Sequence, residues 1–262
     1  MELTVNGHKV HAATGGKDFD ASLPAVIFVH GAGLDRTVWA LQTRYFAHHG
    51  HTVLAVDLPG HGKSEGPPLD TVPALGDWLA ALIDAAGLEK ATLVGHSMGS
   101  LVALECAARH RGKVRALALV GAATAMPVHP DLLAAAAAND RSAYEAITYW
   151  GFSRPAQLGR DQAPGMWMVG SGVELLAHGP AGVLHTDLAA CAAYESGLDS
   201  AAKVTCPVRL ILADGDFMTP LKGGKALADA FHAADIIILN RCGHMIMAEQ
   251  PDATLDALIG FV

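Results

Sequence analysis

The chain is short of charge, short of cysteine and without a long apolar run, and each shortage removes a class of function. Charged residues make up 17% of 262 positions and leave a formal charge of −8, with no basic cluster. Nothing in it could hold a phosphate backbone, so nucleic acid is not an expected partner. The four cysteines, Cys106, Cys191, Cys206 and Cys242, are scattered and form no CxxC. Isolated thiols of this kind read as reduced core residues, not as a disulfide framework. The 14 histidines place no pair on one helix face beside a third ligand, so no metal is expected. No apolar stretch approaches the roughly 18 residues of a membrane span. MELTVNGHKV also lacks the basic and then apolar pattern of a secretion leader. These readings predict a cytoplasmic protein with no membrane partner. Beyond one alanine run there is neither internal repeat nor low-complexity segment.

What is present is a large apolar content, 51%, in a length that suits one domain or one core with an insertion. The opening LTV-NG-HKV predicts a hairpin, because Asn6-Gly7 suits a two-residue turn with positive φ. Apolar runs then recur at AVIFVH (25–30), TVLAVD (52–57), ATLVGH (91–96), ALALVG (116–121), VRLILAD (208–214) and DIIILN (235–240). They are continuous rather than alternating, as strands covered on both faces of a parallel sheet should be. Helix-compatible stretches lie between them at about 71–86, 97–110, 221–233 and 251–261. The alternation predicts an α/β layered fold with right-handed crossovers. From about Ala122 to Lys203 the rhythm stops: an alanine-rich helical segment, DLLAAAAANDRSAYEAI, precedes pieces carrying Trp150, Met166, Trp167 and Met168. Such an interval is too long for a plain connection. It reads as a mainly helical cap over residues 122–202, inserted into a core of 1–121 and 203–262.

One segment carries covalent chemistry. ATLVGHSMG closes a predicted strand with Gly95-His96-Ser97-Met98-Gly99 and opens a predicted helix. A G-x-S-x-G in that setting is a nucleophile elbow, which holds the serine in a strained turn with its hydroxyl exposed. The plainer alternative is a serine that merely caps the helix. A serine nucleophile needs a base oriented by a third group, here in the chain order Ser, acid, His. VRLILADGDFMTP offers Asp214 and Asp216 just past a strand, and DIIILNRCGHMIMAEQP places His244 past the last one. Asp216 is preferred, because Asp214 ends the strand and is better placed to order the turn. Charge developing on a carbonyl oxygen needs backbone donors. Met98 N–H should be one, and the loop His30-Gly31-Ala32-Gly33 should supply the other, from Ala32, with Gly33 or Leu34 as alternatives.

HGAG, DLPGHGKS, GHSMG, DGDFMTP and the final GH…EQP, in this order, resemble the α/β-hydrolase fold superfamily, nearest its small capped bacterial esterases and lactonase-like members. The resemblance covers about residues 22–121 and 203–262 and implies a mostly parallel sheet flanked by helices, with an inserted cap. It implies that Asp57, Gly60, Gly62 and Ser64 are scaffold, and that the acid stands four residues before a proline, which selects Asp216 before Pro220. Ser100 replaces a second glycine found in many members, a change that should do little harm. The P-loop suggested by GHGKS fails because Asp57 stands where a glycine is needed.

The expected reaction is hydrolysis of a small or medium, hydrophobic carboxylic ester, with no cofactor. Ser97 would attack, His244 would move the proton and Asp216 would orient the ring. The amides of Met98 and Ala32 would hold the oxyanion, with Trp150 and Trp167 as candidate pocket residues. A serine at the elbow argues against dehalogenases and most epoxide hydrolases, which carry Asp there. Lactonase, C–C bond hydrolase, amidase and cofactor-free peroxidase chemistry share the same triad, and a ligand-sensing receptor of this fold is an alternative of another class.

Overall fold

The computed structural model describes residues 1–160 and 167–262, so Met166 lies outside the described residues. Eight strands form one sheet: β1 (Glu2–Val5), β2 (His8–Ala13), β3 (Ala25–Val29), β4 (Thr52–Val56), β5 (Ala91–His96), β6 (Val114–Val120), β7 (Val208–Ala213) and β8 (Asp235–Leu239). Their spatial order is β1-β2-β4-β3-β5-β6-β7-β8. The hairpin of β1 and β2 runs antiparallel, with Val5 opposite His8 and both turn residues, Asn6 and Gly7, at positive φ. The strands from β4 to β8 pair in parallel.

The continuous apolar runs of β3 to β7 have the predicted cause, whereas β8 is an edge strand that leaves Ile236 39% exposed. In β3, Ala25, Ile27 and Val29 join one apolar cluster, while Val26 and Phe28 join the cluster on the opposite face. Helices α1 (Ala40–His48), α2 (Val72–Ala85), α3 (Met98–Arg109), α10 (Leu221–Ala228) and α12 (Pro251–Leu258) flank the sheet. Sequence reading missed α1, whose buried face mixes Gln42 and Thr43 with Phe46 and Ala47 and so carries no apolar stripe. It also ran α10 too long; that helix stops at Ala228.

Among the described residues, six helices lie between β6 and β7: α4 (Pro130–Ala137), α5 (Arg141–Gly151), α6 (Arg154–Gln157), α7 (Met168–Ala177), α8 (Val183–Ala192) and α9 (Gly197–Ala201). The alanine-rich segment, read as one helical stretch, is two helices. Asn139 turns the chain at φ 52, and the Asp140 carboxylate then caps the next helix by accepting from the Ser142 N–H at 2.8 Å. A short helix, α11 (Ile246–Glu249), precedes α12.

The strand order reverses its direction of growth between β3 and β5, since the chain adds β4 on one side and then crosses to the other. Ligands in open parallel sheets bind at such a switch, beyond the carboxyl ends of the two strands. The loop after β3 and the turn after β5 are the HGAG and GHSMG segments.

Candidate active site

Ser97 has φ 53 and ψ −122, a conformation that a residue with a Cβ adopts at a cost of roughly 1–3 kcal/mol. The neighbours leave no other path. A Cβ at Gly95 would lie 2.1 Å from the Gly99 carbonyl oxygen, and one at Gly99 would lie 2.4 Å from that of Val29. The turn is closed by the Ser97 N–H donating to Val120 at 2.9 Å and by the Ser100 hydroxyl donating back to the Ser97 carbonyl. Ser100 therefore occupies its departure position productively. The Ser97 side chain caps nothing.

His244 and Asp216 meet as the chain order requires. His244 Nδ1 lies 2.8 Å from Asp216 Oδ2, with both side chains buried. A carboxylate oxygen only accepts, so Nδ1 carries the proton and the neutral ring keeps its lone pair on Nε2. That Nε2 is buried and finds no hydrogen-bond partner among the described residues. Asp216 is held by the N–H groups of Met218 and Thr219, both at 2.8 Å, and by the Thr219 hydroxyl at 2.6 Å. Burial pushes the Asp216 carboxyl up, but the His244 ring and the Thr219 bonds outweigh it and hold the group below its ordinary range. Asp214 serves the turn instead, accepting from Arg241 N–H at 2.6 Å.

Two positioning contacts escaped sequence reading. His96, the variable residue of the elbow, is fully buried and donates from Nε2 to the His244 carbonyl at 3.0 Å. Burial, with the neighbouring His244 ring, drives its pKa down to about 3, so it stays neutral. Gly121 packs against the base: a Cβ there would lie 3.2 Å from Cε1 and Nδ1 of His244. The only signal for Gly121 was its place at the end of an apolar run, which many glycines share.

The structure distinguishes the three donors left open in the loop after β3. Gly33 N–H donates to Asp187 at 2.8 Å, and Leu34 N–H donates to Gly31 at 3.2 Å. Ala32 N–H and Met98 N–H have no acceptor among the described residues. His30 beneath them is neutral as well, with its pKa near 4 through burial and the adjacent His61. Its Nδ1 donates to Gly31 and its Nε2 accepts from Leu58. Asp57 is scaffold: its carboxylate accepts from Arg36 N–H and Lys63 N–H, both at 2.9 Å, and pairs with the Arg36 guanidinium.

Ser97, His244, Gly31 and Ala32 line one cavity of about 450 Å³. Its walls are apolar, with Leu132, Ile147, Leu176 and Leu188 from the insertion. Trp150 lines it and Trp167 does not. Trp167 is 74% exposed, stands just before α7 and lies over Gly170 of that helix. All four cysteines are free, three of them buried. No group of three or more metal-ligating side chains occurs among the described residues.

Residues 26–257 match the family model for the alpha/beta hydrolase family. The chain belongs to that family. Within it, a pimeloyl-[acyl-carrier protein] methyl ester esterase of Chromobacterium violaceum is 32% identical over 237 residues, spanning 84% of this chain and 87% of that protein. Among solved structures, the enol-lactonase of Burkholderia xenovorans LB400 superposes with a TM-score of 0.89, covering 100% of this chain and 99% of its own at 22% identity. An esterase from Exiguobacterium antarcticum gives 0.86, covering 100% and 98% at 17% identity. At those identities the two structures speak for the alpha/beta hydrolase fold. No described helix is long and apolar enough to cross a membrane.

Proposed function

We propose that this alpha/beta hydrolase cleaves carboxylic esters with an apolar acyl group through an acyl-enzyme on Ser97, with residues 122–202 as its cap. The reading rests on one observation: His244 Nε2 is buried and without a partner among the described residues, its side chain lining the same apolar cavity as Ser97, while Nδ1 is fixed by Asp216. His244 takes the Ser97 proton as the hydroxyl attacks the carbonyl carbon and returns it to the departing alkoxide. Asp216 keeps the ring in the tautomer that can do so. The Met98 and Ala32 amides receive the oxyanion, and water then releases the acid by the same steps in reverse roles. The cavity falls within the roughly 300–1,000 Å³ of small-molecule sites. Its aliphatic walls suit an acyl chain better than a charged one. The 32% identical esterase, whose name describes a methyl ester on an acyl chain, agrees in bond type.

The test is p-nitrophenyl esters of graded chain length with wild type and Ser97→Ala side by side. Sustained turnover in the wild type is expected, with a loss of about 10⁴-fold or more in the variant. A chain-length optimum would then size the cavity. A single burst without turnover would replace the enzyme reading with ligand sensing. Activity retained by Ser97→Ala would overturn the serine mechanism, and a preference for enol-lactones or methyl esters over aryl esters would move the substrate class within the same chemistry.

A further inference from the structure

The loop that carries Ala32 is held from the insertion and not only from the sheet. Gly33 N–H donates to Asp187 Oδ2 at 2.8 Å, and Asp187 belongs to α8, 154 residues away in sequence. The same oxygen stands 2.7 Å from His61 Nε2, while His61 Nδ1 stands 2.9 Å from the Pro59 carbonyl. Carbonyl and carboxylate oxygens only accept, so both ring nitrogens carry protons and His61 is an imidazolium. The two side chains form an ion pair at 1–3% exposure. A buried pair of this kind rarely adds net stability over apolar side chains of the same size, so its position is the better guide to its use. Leucines of the insertion press on the same loop: a Cβ at Gly33 would lie 2.7 Å from Leu184 Cδ1 and 3.0 Å from Leu176 Cδ2. With its neighbour's amide tied to Asp187, Ala32 N–H is left as the donor without an acceptor among the described residues.

We propose that Asp187 is a positioning residue for ester hydrolysis: from the insertion it holds, through Gly33, the loop whose Ala32 amide receives the oxyanion, and its pairing with His61 makes that hold dependent on pH. The inference rests on the serine-esterase reading above.

The groups facing His61 support the pH dependence. Asp187 approaches from α8, and Asp57, itself paired with Arg36, from the same loop as His61. His30 lies with its ring centre 4.9 Å away and is neutral. Asp35, Tyr144 and His178 line the small cavity that also touches His61. Burial alone would lower the His61 pKa, but the Asp187 charge and hydrogen bond, the Pro59 carbonyl and Asp57 together raise it above the ordinary value. A raised histidine contributes its stabilisation fully below its ordinary pKa, about 6.5, and loses it as pH climbs through the raised value. Failure of the hold therefore appears on the alkaline side.

The experiment uses the whole protein with its best p-nitrophenyl ester and a trifluoromethyl ketone of matching chain, which forms a tetrahedral oxyanion on the serine. Asp187→Ala removes the acceptor of Gly33, and Asp187→Asn keeps an acceptor but no charge. For Asp187→Ala, kcat should fall by up to about 10²-fold with KM within about threefold, and affinity for the ketone should fall in step. For Asp187→Asn the loss should be smaller, and the alkaline limb of kcat should disappear. Should Asp187→Ala fail to fold, the isosteric Asp187→Asn decides. Unchanged ketone affinity in Asp187→Ala, or an alkaline limb identical in wild type and Asp187→Asn, would overturn the proposal. A wild type that turns over no ester, or a Ser97→Ala variant that still does, would instead overturn the reading beneath it.

Discussion

The sheet and the helices between β6 and β7 are both rich in apolar residues, but the helices leave part of that surface on a cavity. Strand β3 puts Ile27 into one cluster and Phe28 into the other, so every residue has a neighbour above or below and no space is left. Helices α4, α7 and α8 bury only part of their apolar surface against one another, and turn Leu132, Leu176 and Leu188 to the cavity. Ala190 and Cys191 of α8 and Ala201 of α9 join the apolar cluster that holds Ile27 and Val29, and a few buried carboxylates add polar ties between the two regions. Glu105 of α3 accepts from Tyr194 at 2.7 Å and from the Ser200 hydroxyl. Glu249 accepts from Ser153 N–H at 3.2 Å and from Gly243 N–H at 3.1 Å, beside the base. Asp187 reaches the loop after β3. A core filled on both faces tolerates little change and holds reacting groups still. Helices that turn apolar side chains to a cavity leave that wall freer to vary, which is where substrate choice belongs.

That contrast can be broken in three places. The largest effect is expected at Gly121, where the sheet touches the base. Gly121→Ala puts a methyl 3.2 Å from the His244 ring at φ +58 and should move the ring off its place. Misplacement by about 1 Å near reacting groups costs about 10²-fold, so kcat/KM should drop at least that far. Full activity in a folded Gly121→Ala protein would mean that the ring has slack the packing does not suggest. The next effect is on stability alone. Ile27→Ala in β3 should cost about 2–5 kcal/mol in urea unfolding, with KM unaltered where the protein remains folded. The smallest is expected from Leu188→Ala on the cavity wall, below about 2 kcal/mol, because that side chain already lacks neighbours on one side. Its signature is a chain-length optimum longer by about one or two carbons. Equal stability losses for Ile27→Ala and Leu188→Ala would erase the distinction between the two regions.

The two regions also differed in how much the amino-acid order revealed. The six apolar runs became β3 to β8, and the Asn6-Gly7 hairpin became β1 and β2. The GHSMG elbow, DGDFMTP and the His244 loop came together at the sheet's carboxyl edge. Within the insertion, the alanine-rich stretch concealed a break at Asn139-Asp140, and Trp167, read as a pocket residue, turned outward. The signals differ physically. A strand buried on both faces must be apolar at every position, and an elbow must have glycine where backbone would collide. Both demands are local and are written in adjacent letters.

By itself the sequence determined the alternation of strand and helix, the strained serine turn and the order of serine, acid and histidine. The first two follow from sterics or periodicity within about ten residues, and the third from the chain order that accompanies such an elbow. Only the tertiary structure decided that Ala32 rather than Gly33 or Leu34 leaves its amide free, that Gly121 and His96 brace the base, and that Asp187 reaches the loop after β3. Those outcomes depend on pairs as far apart as Gly33 and Asp187, brought within 2.8 Å by packing, and no local pattern encodes which distant acceptor will claim an amide.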